Sequence, residues 1–272
     1  MEEENNKNQI SIVKNNYLTK VSNTLSITNK LLTKRNNRSD IPNDHFRVRI
    51  PDINFQMYLT KKLGIVVIDG TVAYGDIKGV NEVDCSCSSI QNLDGIEYFD
   101  NLKILNCSNP PIIKMLNKEQ NNNIKYLNLS TNLKLTQLIC SSNSINNLDL
   151  SNNIALTHLY SNDNSLKNID LSNNINLKHL NCECNFITNL DITKNVNLDY
   201  LICNNNLLSK INVTKNIALT HLICDFNYLT DLDVSNNINL IMLRCSDNKL
   251  SSLDISKNIK LTSLEFSNNL FK

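Results

Sequence analysis

The chain is poor in the residues that most enzyme motifs and membrane segments require. Glycine occurs five times in 272 residues, and every glycine precedes residue 96. That excludes a Gly-x-x-x-x-Gly-Lys phosphate loop from most of the molecule, and none is present in the remainder. His-Glu-x-x-His is also absent. No apolar stretch near the start is long enough to span a bilayer or to form the core of a secretory signal, and Met1-Glu2-Glu3-Glu4 is acidic where such a signal would be basic. The chain as given is therefore expected in the cytoplasm. The net charge is only +1, without a basic stripe, so the sequence lacks the cationic surface that nucleic-acid phosphates demand.

Repetition fills the space these absences leave. From Leu135 onward the pattern Leu-x-x-Leu-x-Cys-x-x-Asn-x-(Leu/Ile)-x-x-(Leu/Ile)-Asp-(Leu/Ile/Val)-(Ser/Thr)-x-Asn-(Ile/Val)-x recurs every 21 residues, opening at Leu135, Leu156, Leu177, Leu198, Leu219, Leu240 and Leu261. Such a period marks a leucine-rich-repeat solenoid, an α/β-type repeat fold dominated by short parallel strands. Leu138 and Cys140 point inward as strand alternation requires, and Ile145, Leu148, Leu150 and Ile154 are assigned to the other walls of the same coil. Parallel coils stack about 4.8 Å apart, so equivalent residues form ladders. Asn143, Asn164, Asn185, Asn206, Asn227, Asn248 and Asn269 make one ladder, and Asn153 through Asn258 make a second. An inward Asn carries the donors and the acceptor that a tightly turning backbone needs.

The repeat weakens upstream without disappearing. Val80, Val83, Cys85, Ile90, Leu93 and Ile96 form one coil, and Leu102, Leu105 and Cys107 begin another. The latter is interrupted by an insertion near 110–123, after which Ile124 to Asn132 complete the repeat. Residues 49–79 are expected to form an N-terminal cap, with Phe55, Tyr58, Leu59 and Leu63 on a helix begun by Pro51 and Asp52. Residues 37–48 have the composition of a linker. Residues 1–36 carry Ile10, Val13, Tyr17, Leu18, Val21, Leu25, Leu31 and Leu32 at helical spacing, predicting a separate amphipathic helix that docks on a partner or self-associates, with folding back onto the open side of the cap as the alternative. The repeat domain, 80–272, stops within a coil and without a capping sequence, a second surface for self-association.

Nine cysteines raise the question of disulfides or metal. Cys85, Cys107, Cys140, Cys182, Cys203, Cys224 and Cys245 share one inward position, where stacked residues would have to turn against their packing to pair. They are expected to be free, small apolar side chains. The spacings Cys85-Ser86-Cys87 and Cys182-Glu183-Cys184 lack the second matched pair of a structural zinc site. No metal and no cofactor are expected. The acidic column Asp149, Asp170, Asp191, Asp233 and Asp254, interrupted by Asn212, is read as local backbone capping, with calcium as the alternative.

One surface departs from the background. His158, His179 and His221 follow their opening Leu by two residues, and Tyr200 fills the coil between the last two. Collinear ligands on a ladder cannot surround one ion, so an aromatic recognition stripe is the preferred reading. Tyr160, Ile202 and Ile223 lie two residues further along, and Phe186, Leu207, Phe226 and Tyr228 occupy the turn beyond the strand. These eleven residues are the candidate partner-binding surface, with mutual packing along the ladder as the alternative.

Three segments carry a family resemblance. Arg49-Ile50-Pro51-Asp52-Ile53-Asn54-Phe55 is similar to an I-P-D-x-N-F cap opening, and Leu93-Asp94-Gly95-Ile96-Glu97-Tyr98-Phe99 to an L-D-G-I-E-Y-F turn. The repeats are similar to L-T-x-L-x-C-x-x-N-x-L-x-x-L-D-V-S-x-N. Residues 49–272 thus resemble Cys-containing bacterial leucine-rich-repeat proteins of the internalin-like class, a type common in Bacteroidetes. The resemblance implies non-enzymatic binding with adaptor or adhesive roles. A protein-binding scaffold or signalling adaptor is expected, with protein partners, no nucleic acid and no membrane insertion. The alternative is a secreted or surface adhesin or carbohydrate-binding protein.

Overall fold

The computed structural model describes residues 42–109 and 121–272. The expected helix of residues 1–36, the first part of the expected linker and residues 110–120 of the expected insertion lie outside the described residues.

Chain entry is set by Asp52. Its Oδ1 accepts the N–H groups of Asn54 and Phe55 at 2.9 and 3.0 Å, capping helix α1 (Ile53–Leu63). Its Oδ2 accepts the N–H groups of Gln91 and Asn92 at 2.8 and 3.0 Å, so the same carboxylate fastens the helix to the first coil. Phe55, Tyr58 and Leu59 are buried, and Phe55 stacks on Phe99 with centroids 6.3 Å apart. Gly64, in the left-handed conformation, ends the helix. Strand β1 (Arg47–Arg49) pairs antiparallel with β2 (Thr71–Ala73), which leads into the single turn α2 (Tyr74–Ile77). Arg47 and Val48 fall in the span read as linker, yet Val48 is fully buried, so ordered structure starts earlier than composition indicated. Gly95, at φ 102°, is required where it stands: a Cβ there would lie 2.9 Å from the Arg49 carbonyl oxygen.

From residue 82 the chain forms a solenoid. Nine three-residue strands stack in sequence order as one parallel sheet: β3 (Glu82–Asp84), β4 (Ile104–Asn106), β5 (Gln137–Ile139), β6 (His158–Tyr160), β7 (His179–Asn181), β8 (Tyr200–Ile202), β9 (His221–Ile223), β10 (Met242–Arg244) and β11 (Ser263–Glu265). Every strand from β5 onward pairs with its equivalent 21 residues away, for example Tyr200 with His221. The central residue of each strand (Val83 in β3, Leu in the others), the opening Leu and the following Cys, replaced by Ser161 and Phe266 in two coils, line a continuous core in which most are fully buried.

The asparagine ladder joins neighbouring coils. In each, Nδ2 donates to carbonyls of its own and the preceding coil while Oδ1 accepts an N–H of the preceding coil, as when Asn185 bonds to Ser161, Cys182 and Leu166. The ladder begins earlier than expected. Asn122, placed by sequence in the insertion, is buried and donates to the Cys85 and Cys107 carbonyls at 2.9 and 3.0 Å while accepting from Ile90 at 2.8 Å. Asn109 holds Asn122 by two bonds of 2.7 and 2.8 Å. The extra residues therefore enter between Asn109 and Asn122, which occupies the ladder position. At the opposite bend Asn153, Asn174, Asn195, Asn216, Asn237 and Asn258 are buried and donate to carbonyls of the preceding coil.

One core assignment fails. Ile154 is 58% exposed, and Leu133, Ile175, Val196, Ile217, Ile238 and Ile259 at the same register are exposed with it. The buried Asn just before each takes the inward direction at this bend, which turns the next side chain outward.

Candidate functional site

The parallel pairing of β6 to β9 brings the candidate side chains together. His158, His179, Tyr200 and His221 stack as a column, with centroids 4.5, 5.5 and 4.1 Å apart and interplanar angles of 20°, 7° and 19°. Thr157 and Thr220 hydroxyls lie 2.8 and 2.9 Å from Nδ1 of His158 and His221, and His179 Nε2 lies 3.4 Å from Asp199 Oδ1. Partial burial, then the neighbouring His179, holds the His158 imidazole below its usual range. The mutual packing considered as an alternative is thus present, and it decides what the column shows to solvent. Ring faces are spent on one another, which leaves ring edges, nitrogens and the tyrosine hydroxyl for a partner.

Tyr160, Ile202 and Ile223 lie beside the column and are half-buried on the same strands. Beyond the strand ends the surface becomes apolar. Phe186, Leu207, Phe226 and Tyr228 are 52%, 39%, 53% and 48% exposed. Lys249 lies over the Tyr228 ring at 4.9 Å, whereas no ring contact joins the turn group to the column among the described residues. Phe226 stands out by its backbone. At φ 52° it occupies the left-handed position that other coils fill with Ser142, Asp163, Cys184, Asn205, Asp247 and Asn268, all short side chains and mostly polar ones that tolerate it. A bulky aromatic there is strained and half-exposed, a combination that core packing does not account for.

Asp225 and Arg244 complete this face and were not among the expected residues. The Asp225 carboxylate, 3% exposed, accepts Arg244 Nε at 3.1 Å and the Ser246 N–H at 2.8 Å, and Arg244 also pairs with Glu265 at 3.1 Å. Burial pushes its carboxyl above the usual range despite these partners. Asp225 shares its register with Ser, Asn and one other acid, Glu183, and Asp199 appears where other coils carry Thr, Lys or Ile. Neither signal rises above the variation of a polar repeat.

The acidic column is tied to its own backbone. Asp149, Asp170, Asp191, Asp233 and Asp254 each accept the N–H two residues on at 2.9 to 3.0 Å, and Asn212 does the same at 3.1 Å. Bonds from Ser172, Thr193, Ser235 and Ser256 hold Asp170, Asp191, Asp233 and Asp254 below the usual carboxylate range. A groove of about 770 Å³ runs along this column, lined by residues including Asp149, Asp170, Asp191, Lys167 and Lys194.

The cysteine ladder is as sequence placed it. All nine thiols are free, the seven ladder members are buried, and burial pushes Cys140 and Cys182 up to about 12. Cys87 and Cys184 fall instead at left-handed turn positions, φ 49° and 52°, so neither Cys-x-Cys pair continues a regular strand. Among the described residues, no three His, Cys, Asp or Glu side chains converge as a metal would need, and no helix is long and apolar enough to cross a membrane.

A parallel solenoid of coils of about 21 residues, with an inward cysteine file, asparagine ladders and a helix seated on the first coil, is a leucine-rich-repeat solenoid, and it is similar to solved bacterial proteins of the internalin-like class. The functional domain of InlJ from Listeria monocytogenes, which includes a cysteine ladder, is similar at 27% identity and TM-score 0.53, over 83% of this chain and 62% of that one. This chain therefore spans less than two thirds of that domain. Internalin C2 from Listeria monocytogenes shares the fold at 23% identity and TM-score 0.67, over 79% of this chain and 94% of that one. Internalin F from the same organism shares it at 21% identity and TM-score 0.52, over 81% and 76%. No protein-family model matches the sequence, and no curated protein matches it significantly.

Proposed function

We propose that this protein is a non-enzymatic binding scaffold whose strand face and adjoining turns, centred on the coils opening at Leu177, Leu198 and Leu219, recognise a protein partner. The observation that carries the reading is Phe226, held half-exposed at φ 52° where only short side chains serve in other coils. Strain of about 1 kcal/mol or more, kept at an exposed aromatic side chain, is accounted for by a contact the isolated chain does not make. Phe186, Leu207 and Tyr228, at one register two residues further on, add exposed apolar surface to the same turns, and the stacked column supplies hydrogen-bonding edges on the strands that lead into them. Catalysis has no part in this reading.

The carbohydrate-binding alternative is less well supported, since sugars stack on ring faces and the column's faces are occupied by one another. An adaptor role within the cell is the accompanying proposal, supported by nine unpaired thiols of the kind a reducing compartment maintains. Affinity capture from native lysate tests the reading. A protein retained by the full chain and lost from Tyr200→Ala with Phe226→Ala supports it, whereas equal retention by both contradicts it.

A further inference from the structure

The exposed aliphatic row belongs to a different part of the coil from the recognition surface. Leu133, Ile154, Ile175, Val196, Ile217, Ile238 and Ile259 enter the strand, whereas Phe226 and its neighbours leave it. Six of the seven are 47% to 59% exposed, and Ile259, at the end of the row, is 87% exposed. That difference measures what stacking within the row achieves: each residue shields the next in part and still leaves about half of itself in water. The fold does not need large aliphatic side chains at a position where Ala or Thr would turn the same bend.

The row has the properties of an interface. At about 4.8 Å per coil it is about 29 Å long. It exposes on the order of 600 Å² of aliphatic surface, the upper end of what a typical monomer leaves uncovered. Covering it strands few polar groups. Asn176, Asn197 and Asn239, beside it, already donate to the carbonyls of Ile154, Ile175 and Ile217 at 3.0 to 3.2 Å. No acidic residue occupies the row or the positions immediately on either side of it.

We propose that two copies of this chain pair through the aliphatic row, antiparallel, about a two-fold axis at Val196. Only a surface that repeats at the coil pitch meets all seven residues in register, and a second copy has that pitch. Val196 is the midpoint of the row, its smallest and least exposed member, and permits the closest approach where the axis passes. The pairing places Ile175 against Ile217 and Ile154 against Ile238 of the other copy. In the flanking file, Lys134 and Lys260 stand at the two ends, where the pairing sets each near the other in the second copy and solvent screens them at the rim; Lys194, Lys215 and Lys257, two residues before Val196, Ile217 and Ile259, lie along one margin of the row. With the flanking residues, the area approaches the roughly 800 Å² per partner of a specific interface.

Sedimentation of the full chain across a micromolar concentration range tests the proposal, with Val196→Lys and the milder Ile175→Ser with Ile217→Ser as variants and thermal melting as the check on folding. The expected result is a monomer–dimer equilibrium whose dissociation constant rises at least tenfold in both variants and is unchanged in Tyr200→Ala with Phe226→Ala. A wild-type chain that stays monomeric throughout overturns the proposal. So does a dimer that survives both row variants, which would place the contact elsewhere. A monomer that co-sediments with phosphatidylcholine–phosphatidylglycerol vesicles, and loses them in both variants, overturns it in favour of a lipid surface.

Discussion

The side chain of Asn206 and the backbone of Ile187, 19 residues apart, are joined by a 3.0 Å bond from the Ile187 N–H to Asn206 Oδ1. The same amide donates to the carbonyls of Cys182 and Cys203 at 3.0 and 3.1 Å, so one buried side chain satisfies backbone groups of two coils. Asn206→Leu adds apolar volume and removes these partners. Each buried group left unpaired costs about 1–3 kcal/mol, more than the added apolar contact returns. A clear fall in melting temperature is expected, and an unchanged one would show that the ladder is not what satisfies the bend.

Phe226→Asn should act in opposite directions on stability and binding. Asn occupies the same left-handed position at Asn205 and Asn268, so the substitution relieves strain and stabilises the fold by about 1 kcal/mol. Partner capture should weaken. A variant that is both less stable and fully competent in binding would remove Phe226 from the account.

Thiol accessibility should divide the cysteines into two groups. In the folded protein only Cys87 and Cys184, the two not fully buried, should react with an aromatic disulfide reagent, and slowly, because burial and nearby carboxylates push Cys184 up to about 11 and raise Cys87 as well. The seven ladder thiols are buried and poor thiolate formers, as with Cys182 at about 12. After denaturation without reductant all nine should titrate. Several missing thiols would contradict both the ladder and the reducing compartment.

Acid should destabilise the fold through the aspartate column. Carboxyls held below their usual 3.8 contribute stability that is present above that value and lost as pH falls through their lower folded values. Changing Asp170, Asp191, Asp233 and Asp254 together to Asn keeps the turn acceptor, as Asn212 shows with its bond to the Thr214 N–H. Melting temperature against pH below 4 should be flatter for this variant than for the wild type. Parallel curves would assign acid loss to other groups.

The fold was legible because its information is periodic. Leu138, Cys140 and Asn143 recur at one spacing, and a single coil cannot bury them alone, so repetition and stacking followed together. Ile154 departs from its expected inward place because an apolar residue in a repeat reads as inward, while the direction at that bend is governed by Asn153 and its bonds to the preceding coil. Asn122 was hidden by the polar run around it. For the candidate surface, sequence showed which rings share a register but not that their planes lie parallel and in contact, which depends on rotamers. Asp225 and Arg244 were missed because single charges in a polar repeat carry no spacing.

The central claim is that recognition occurs on the strand face and its turns. It is tested most directly by measuring the affinity of a captured partner for three proteins: the wild type, Tyr200→Ala with Phe226→Ala, and Asp170→Ala with Asp233→Ala. Aromatic anchors near an interface centre commonly contribute 2 kcal/mol or more on truncation, so the aromatic pair should weaken binding roughly thirtyfold or more. The acidic pair, on the far side of the coil, should leave affinity unchanged. Loss of binding in the acidic pair with full binding in the aromatic pair would contradict the account and move recognition to the groove along the aspartate column.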